Sequence, residues 1–131
     1  MKLLIIDDHE VVRKGLKGAL ALEEEFSEVE EVANVADALK ILRISKPEIA
    51  IVDICLGRKE NGFQIIKKSQ EEHLNTKFLV LTSSSRRDDF AKAKELKVSG
   101  YILKDSNIED ISYAIKSVLK GKCFYDSTFQ M

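Results

Sequence analysis

Short apolar runs and longer amphipathic stretches alternate five times along this chain, and that alternation constrains the fold more than any other feature. The runs are Leu3 to Ile6, Val29 to Ala33, Ile49 to Val52, Phe78 to Leu81 and Tyr101 to Leu103, mostly rich in Val, Ile and Leu. Each is too short for a helix, so they read as five buried strands. Between them, inward-facing residues recur at helical spacing: Val12, Leu16, Ala19 and Leu20; Val35, Leu39 and Leu42; Phe63, Ile66 and Gln70. The fourth stretch, with Phe90, Ala93 and Leu96, is the most polar and the least well anchored, and the fifth carries Ile108, Ile111, Ile115, Val118 and Leu119. Each buries one stripe. Parallel strands need crossover connections, and those are right-handed. The expected fold class is therefore α/β, a doubly wound five-stranded parallel sheet with helices on both faces. Punctuation agrees: Pro47 precedes the third strand, Gly100 leads into the fifth, Ser106 with Glu109 makes a capping box for the last helix, and Gly121 closes it.

At 131 residues and 44% hydrophobic, the chain holds one ordinary domain and excludes a second full one. We expect that domain over residues 1–121, with 122–131 as a tail or the start of a linker. Twenty-one Lys plus Arg stand against 22 Asp plus Glu, which leaves no net field to draw in nucleic acid or anionic lipid. No apolar run approaches the roughly 18 residues of a membrane span, and the first residues lack a signal-peptide layout, so a cytoplasmic protein without membrane partners is expected. Cys55 and Cys123 fit neither a zinc pattern nor a disulfide framework and are read as free thiols. Six of the nine residues from Glu23 to Glu31 are Glu, read as an exposed helix end and edge strand.

In open α/β sheets, sites gather at the carboxyl ends of the strands. The first strand runs out into Asp7 and Asp8, the third into Asp53, the fourth into Thr82 and Ser83, and the fifth into Lys104. Three carboxylates, a hydroxyl and an ammonium should thus converge. Carboxylates so placed repel one another unless a cation sits among them. An all-oxygen set favours a hard divalent ion, Mg2+ or alternatively Mn2+, held by one or two carboxylates, waters and a phosphate. Lys104 would face the metal across a phosphoryl group, with Thr82 bonding a remaining oxygen. Asp53 is the candidate nucleophile or acceptor. His9 reads as a loop or partner-contact residue rather than a ligand.

Asp7-Asp8-His9, Asp53, Thr82 and Lys104, each after an apolar strand and in this order, resemble the receiver domain of two-component response regulators over essentially the whole chain. Asp7 to Arg13 and Gly100 to Asp105 look most like the subfamily whose receivers control a helix-turn-helix domain of the NarL and FixJ kind. The resemblance implies a flavodoxin-like (βα)5, CheY-like fold. It implies that Asp53 accepts a phosphoryl group from a phosphohistidine on a sensor histidine kinase. Mg2+ would be bound by Asp8, Asp53 and the backbone carbonyl of Cys55, with Asp7 acting through metal-bound water. Lys104 would pair with a phosphoryl oxygen, and Thr82 would swing toward another, vacating space into which the Tyr101 ring turns as the switch. It also implies possible homodimerisation on phosphorylation, and DNA binding only through an output domain absent from this chain.

Two positions depart from the family's pattern. Gly57 stands where many receivers carry Pro, in a loop one residue longer, and Asp105 follows Lys104 where a cis Pro is frequent. Cys55 lies two residues past the acceptor, where it either tunes water access to the phosphoryl group or acts as a small half-buried filler. The leading reading is a signalling switch with self-catalysed phosphotransfer and autodephosphorylation, not a metabolic enzyme. The alternatives are a Mg2+-dependent phosphohydrolase, disfavoured because no insertion could build a substrate pocket, and a phosphate-independent interaction module.

Overall fold

A computed structural model describes residues 1–57 and 60–125. In chain order the elements are β1 (Lys2–Ile6), α1 (Glu10–Leu20), β2 (Glu28–Val32), α2 (Val35–Ile44) and β3 (Ile49–Val52). A short hairpin follows, β4 (Cys55–Leu56) and β5 (Glu60–Asn61), then α3 (Gly62–Glu71), β6 (Lys77–Thr82), α4 (Arg87–Glu95), β7 (Gly100–Leu103), α5 (Ile108–Leu119) and β8 (Phe124–Tyr125).

The main sheet runs β2-β1-β3-β6-β7-β8, all pairs parallel, so the doubly wound architecture stands but the strand number is six rather than five. The sixth strand lies in the segment expected to be a tail: Phe124 and Tyr125 pair with Gly100 and Tyr101. The rest of that segment, 126–131, lies outside the described residues.

Strand alternation sorts the core into two layers. Leu4, Ile6, Ala50, Val52, Phe78, Val80 and Tyr101 face α2, α3 and α4, whereas Leu3, Ile5, Ile49, Ile51, Leu79, Leu81 and Ile102 face α1 and α5. The central strands β1, β3 and β6 are buried along nearly their whole length, as continuous apolar runs covered on both faces must be. β2 differs: as an edge strand of sequence EVEEV it is half-exposed rather than buried.

Helix ends shift some expectations by one residue. Asn34 caps α2 by accepting from the Asp37 amide at 2.8 Å, and Asn61 with Gln64 makes a capping box for α3. The cap of α5 is Asn107, accepting from the Asp110 amide at 2.8 Å, so the expected Ser106 and Glu109 box is not the one used. On α3 the buried polar position is Ser69, while Gln70 is exposed and donates to the Leu96 carbonyl. Ile108 is likewise exposed. Helix α4 buries only Ala93 fully and is, as expected, the least anchored. Its lysines lie over aromatic faces, Lys92 at 4.9 Å from the Phe63 centroid and Lys94 at 5.5 Å from that of Phe90.

Candidate functional site

The sheet ladder continues into the site residues and clamps their backbones. The Asp7 amide donates to Val32 O (3.1 Å), the Asp53 amide to Ile6 O (2.9 Å) and the Lys104 amide to Thr82 O (2.8 Å). Three side chains far apart in sequence are thereby brought to the carboxyl ends of β1, β3 and β7. Asp7 and Asp53 are 3% and 2% exposed, an expensive placement for carboxylates unless they are paired. Lys104 supplies the pairing: its Nζ lies 2.7 Å from Asp53 Oδ2 and 2.8 Å from Asp7 Oδ2. The other Asp53 oxygen accepts from the Cys55 amide at 3.0 Å, and the other Asp7 oxygen from the His9 amide at 2.9 Å.

His9 joins the cluster from its solvent-exposed side, which the sequence reading did not anticipate. Its Nδ1 lies 3.1 Å from Asp7 Oδ1, 3.3 Å from Asp8 Oδ1 and 3.3 Å from Lys104 Nζ. The signal was its place directly after two strand-end aspartates, on the residue preceding α1. One ligand atom from each of Asp7, Asp8, His9 and Asp53 falls within 4.8 Å of all the others, a group that could hold a metal ion. The donor set fits a hard divalent cation: the carboxylates supply oxygen, and Lys104 offsets one of their three negative charges, leaving two for the ion to balance.

Burial pulls the Lys104 ammonium toward deprotonation, but its hydrogen bonds to Asp53 and Asp7 outweigh this, and its pKa is raised. A raised folded-state value means that stability from this group is present below the unfolded value, about 10.4, and is lost as pH rises through the folded value. Metal-free chain should therefore lose stability at the alkaline end, and Lys104→Met should make that limb shallower, leaving the share contributed by the buried Tyr101 phenol. Urea midpoints measured from pH 8 to 11.5 would test this, and an unchanged slope in the variant would refute it.

Thr82, the last residue of β6, is fully buried, and its hydroxyl accepts from the Ser84 amide at 3.2 Å. Tyr101 is also fully buried, with its ring turned inward. Its hydroxyl donates to Ser84 O at 3.2 Å, and its ring meets Phe90 edge-on at 5.4 Å. Burial pushes the Tyr101 phenol up to about 12, so it stays a donor throughout the physiological range. Ser84 in turn donates to Asp89 on α4, which links the loop after β6 to that helix.

Cys55 is exposed, not half-buried, and partial desolvation, with Asp53 beside it, raises its thiol pKa. Cys123 is free and exposed as well. Gly57 adopts φ +86°, a conformation closed to Pro, whose ring holds φ near −65°. The β4–β5 hairpin that departs from the family's pattern thus requires the glycine found there. Residues 58 and 59, the charged part of that loop, lie outside the described residues. Asp105 follows Lys104, and no cis peptide bond is present among the described residues. Nor, among them, is any helix long and apolar enough to cross a membrane. The acidic run is partly engaged: Glu23 pairs with Lys116 and accepts from Ser112, both at 2.7 Å, and Glu31 pairs with residues of α1.

The family model described as the response regulator receiver domain matches residues 3–116. The oxygen regulatory protein NreC of Staphylococcus haemolyticus is 31% identical over 126 residues, covering 96% of this chain and 58% of that protein. The DNA-binding transcriptional activator DevR/DosR of Mycobacterium tuberculosis is 30% identical, covering 97% of this chain and 58% of its own length. The chain thus spans a little over half the length of these curated relatives. Among solved structures, a LuxR-family two-component response regulator from Aurantimonas sp. superposes with a TM-score of 0.90 at 23% identity, covering 98% of this chain and 91% of that one. The isolated receiver of RcsB from Salmonella enterica, with a phosphomimetic beryllofluoride, gives 0.89 at 23% identity and covers 99% and 96% of the two chains. At these identities the likeness establishes the fold.

Proposed function

This chain belongs to the response regulator receiver domain family, and from that premise we propose that Asp53 is its phosphoacceptor, charged by a sensor histidine kinase. The observation that carries the reading is the buried Asp53 carboxylate held between the Cys55 amide and Lys104, beside Asp7 and Asp8.

In the proposed transfer, an Asp53 carboxylate oxygen attacks the phosphorus of a kinase phosphohistidine. The new oxygen–phosphorus bond forms as the phosphorus–nitrogen bond breaks, and the imidazole nitrogen keeps the electron pair. Water later attacks the phosphorus and restores the carboxylate. Asp8, Asp53 and the Cys55 carbonyl would hold Mg2+, with Asp7 ordering its water; Mn2+ could substitute. The ion supplies charge neutralisation for the phosphoryl oxygens. Lys104, already on Asp53, would shift its ammonium to a phosphoryl oxygen, a charge-assisted hydrogen bond that costs little rearrangement. Thr82 would surrender its bond with the Ser84 amide to meet another oxygen. The Ser84 loop carries both the Thr82 contact and the Tyr101 hydroxyl contact, so that move would reach the α4 and β7 surface.

The relatives include a transcriptional activator that binds DNA. We read the phosphoacceptor domain as running through β8, so that it includes Phe124 and Tyr125 rather than ending at the expected 121, and the segment beyond as leading to a DNA-binding output, with phosphorylation promoting pairing of two copies. A phosphohydrolase or a phosphate-independent module is not supported, given the family match and the complete acid and lysine set. The test is intact mass after incubation with acetyl phosphate and Mg2+. One added phosphoryl group, labile to hydroxylamine and prevented by chelator, is the expected result; no addition, together with no uptake of beryllofluoride, would sink the reading.

A further inference from the structure

Arg13 lies on the first turn and a half of α1, outside the acid cluster, yet its guanidinium reaches the strand end that bears it. Nη1 donates to the backbone carbonyl of Asp7 at 2.8 Å, and Nε donates to Glu31 Oε1 on β2 at 3.1 Å. The pair is largely covered, with 14% of the Arg13 side chain and 11% of the Glu31 side chain exposed. Lys14 reaches the same Glu31 oxygen at 3.0 Å, so the carboxylate that anchors Arg13 is itself fixed to α1. Its hydrogen bonds to Lys14 lower the Glu31 pKa against the opposing effect of burial, and Arg13 adds to this.

The bond to Asp7 falls at a sensitive peptide. The Asp7 amide still belongs to the β1–β2 ladder, through Val32 O, but the chain then leaves the sheet for α1. The Asp7 carbonyl is the oxygen of the peptide that joins Asp7 to Asp8. Fixing that carbonyl fixes the peptide plane, and with it the directions in which both carboxylates leave the backbone. A guanidinium can serve two acceptors in one rigid fork, whereas a lysine ammonium is a flexible point charge.

We propose that Arg13 is a positioning residue for the acid cluster: clamped by Glu31, it sets the Asp7–Asp8 peptide so that both carboxylates point to one divalent cation. This rests on the reading of the cluster as the receiver's cation site. Arg13 touches neither the cation nor the phosphoryl group and acts through the backbone.

The experiment measures Mn2+ binding by the paramagnetic signal of the free ion, with Mg2+ as competitor, for the wild-type chain, Arg13→Lys, Arg13→Ala and Glu31→Gln. Outer-sphere partners of metal ligands, when removed, cost about 10- to 100-fold in affinity. We expect Arg13→Ala and Arg13→Lys to fall in that range while Glu31→Gln, which keeps an acceptor for Nε, falls less. Urea midpoints and far-UV spectra taken alongside separate folding from binding. If Arg13→Ala does not fold, Arg13→Lys decides the matter alone. Wild-type affinity in a folded Arg13→Lys or Arg13→Ala chain would overturn the proposal, because a merely structural role lowers the midpoint without changing binding. Absence of Mn2+ binding by the wild-type chain would instead bring down the cation-site reading itself, and this proposal with it.

Discussion

Asp53→Asn is expected to fold and to gain no phosphoryl group from acetyl phosphate and Mg2+, where the wild-type chain gains one. The carboxylate oxygen is the nucleophile in the proposed transfer, and a neutral amide offers neither its charge nor a stable acyl phosphate. The fold should survive because the surroundings tolerate the change in part. Asp53 presents two acceptor oxygens, one to the Cys55 amide and one to Lys104 Nζ. Asn keeps only one acceptor and turns an NH2 group toward the second donor, a mismatch costing about 1–3 kcal/mol. Removing one of three neighbouring negative charges offsets some of that loss. Intact mass and a urea midpoint on the same preparation check both halves. A hydroxylamine-labile phosphoryl group on the Asn variant would mean that the acceptor is another residue, and Asp7 and Asp8 would be the first to examine.

Gly62→Ala should produce the largest loss of stability among single-methyl additions at the described glycines of the site. Gly62 opens α3 directly beneath the acceptor. A methyl there would overlap the Asp53 carbonyl oxygen and lie 2.9 Å from Ile54 Cα and 3.0 Å from the Asp53 carbonyl carbon. All three are backbone atoms, so no side chain can swing aside. Gly62 cannot retreat easily either, since its amide donates to Ile54 O at 2.9 Å and Asn61 caps the helix beside it. Overpacking of this kind costs about 1–3 kcal/mol and occasionally more. Because the strain falls on the Asp53 peptide, phosphorylation by acetyl phosphate should slow as well. Gly18→Ala in α1 is the control: nothing lies within 4 Å of its added methyl, and in a helix interior the change should stabilise by about 0.5–1 kcal/mol. Equal urea midpoints for the two variants would refute the argument from close approach.

The apolar runs alone determined most of the architecture, because a buried parallel strand must be apolar along its length and each must be followed by a crossover helix. They also located Asp7, Asp8, Asp53, Thr82 and Lys104, since a polar residue directly after such a run sits at a strand end, where parallel sheets place their sites. What the pattern could not supply was pairing. Asp53 and Lys104 are 51 residues apart, and His9 and Lys104 are 95 apart. Only the order of strands in the sheet brings those groups within hydrogen-bonding distance.

Other features were equally invisible to local pattern. Phe124 and Tyr125 carry no strand signal of adequate length; they become a strand because β7 would otherwise leave its outer edge unpaired. Gly100 permits this, since a methyl there would stand 2.8 Å from the Phe124 carbonyl oxygen and press on Leu79. Asn107 rather than Ser106 caps α5, because the choice between neighbouring polar residues depends on where the backbone turns. No local pattern marks the role of Arg13 on α1; the folding of β1 and β2 puts a carbonyl and a carboxylate in reach of its one guanidinium. The sequence by itself determined which residues end each strand, through hydrophobic periodicity. Tertiary structure decided which donors meet which acceptors, because hydrogen bonds and ion pairs act over a few ångströms and only the packed sheet sets those distances.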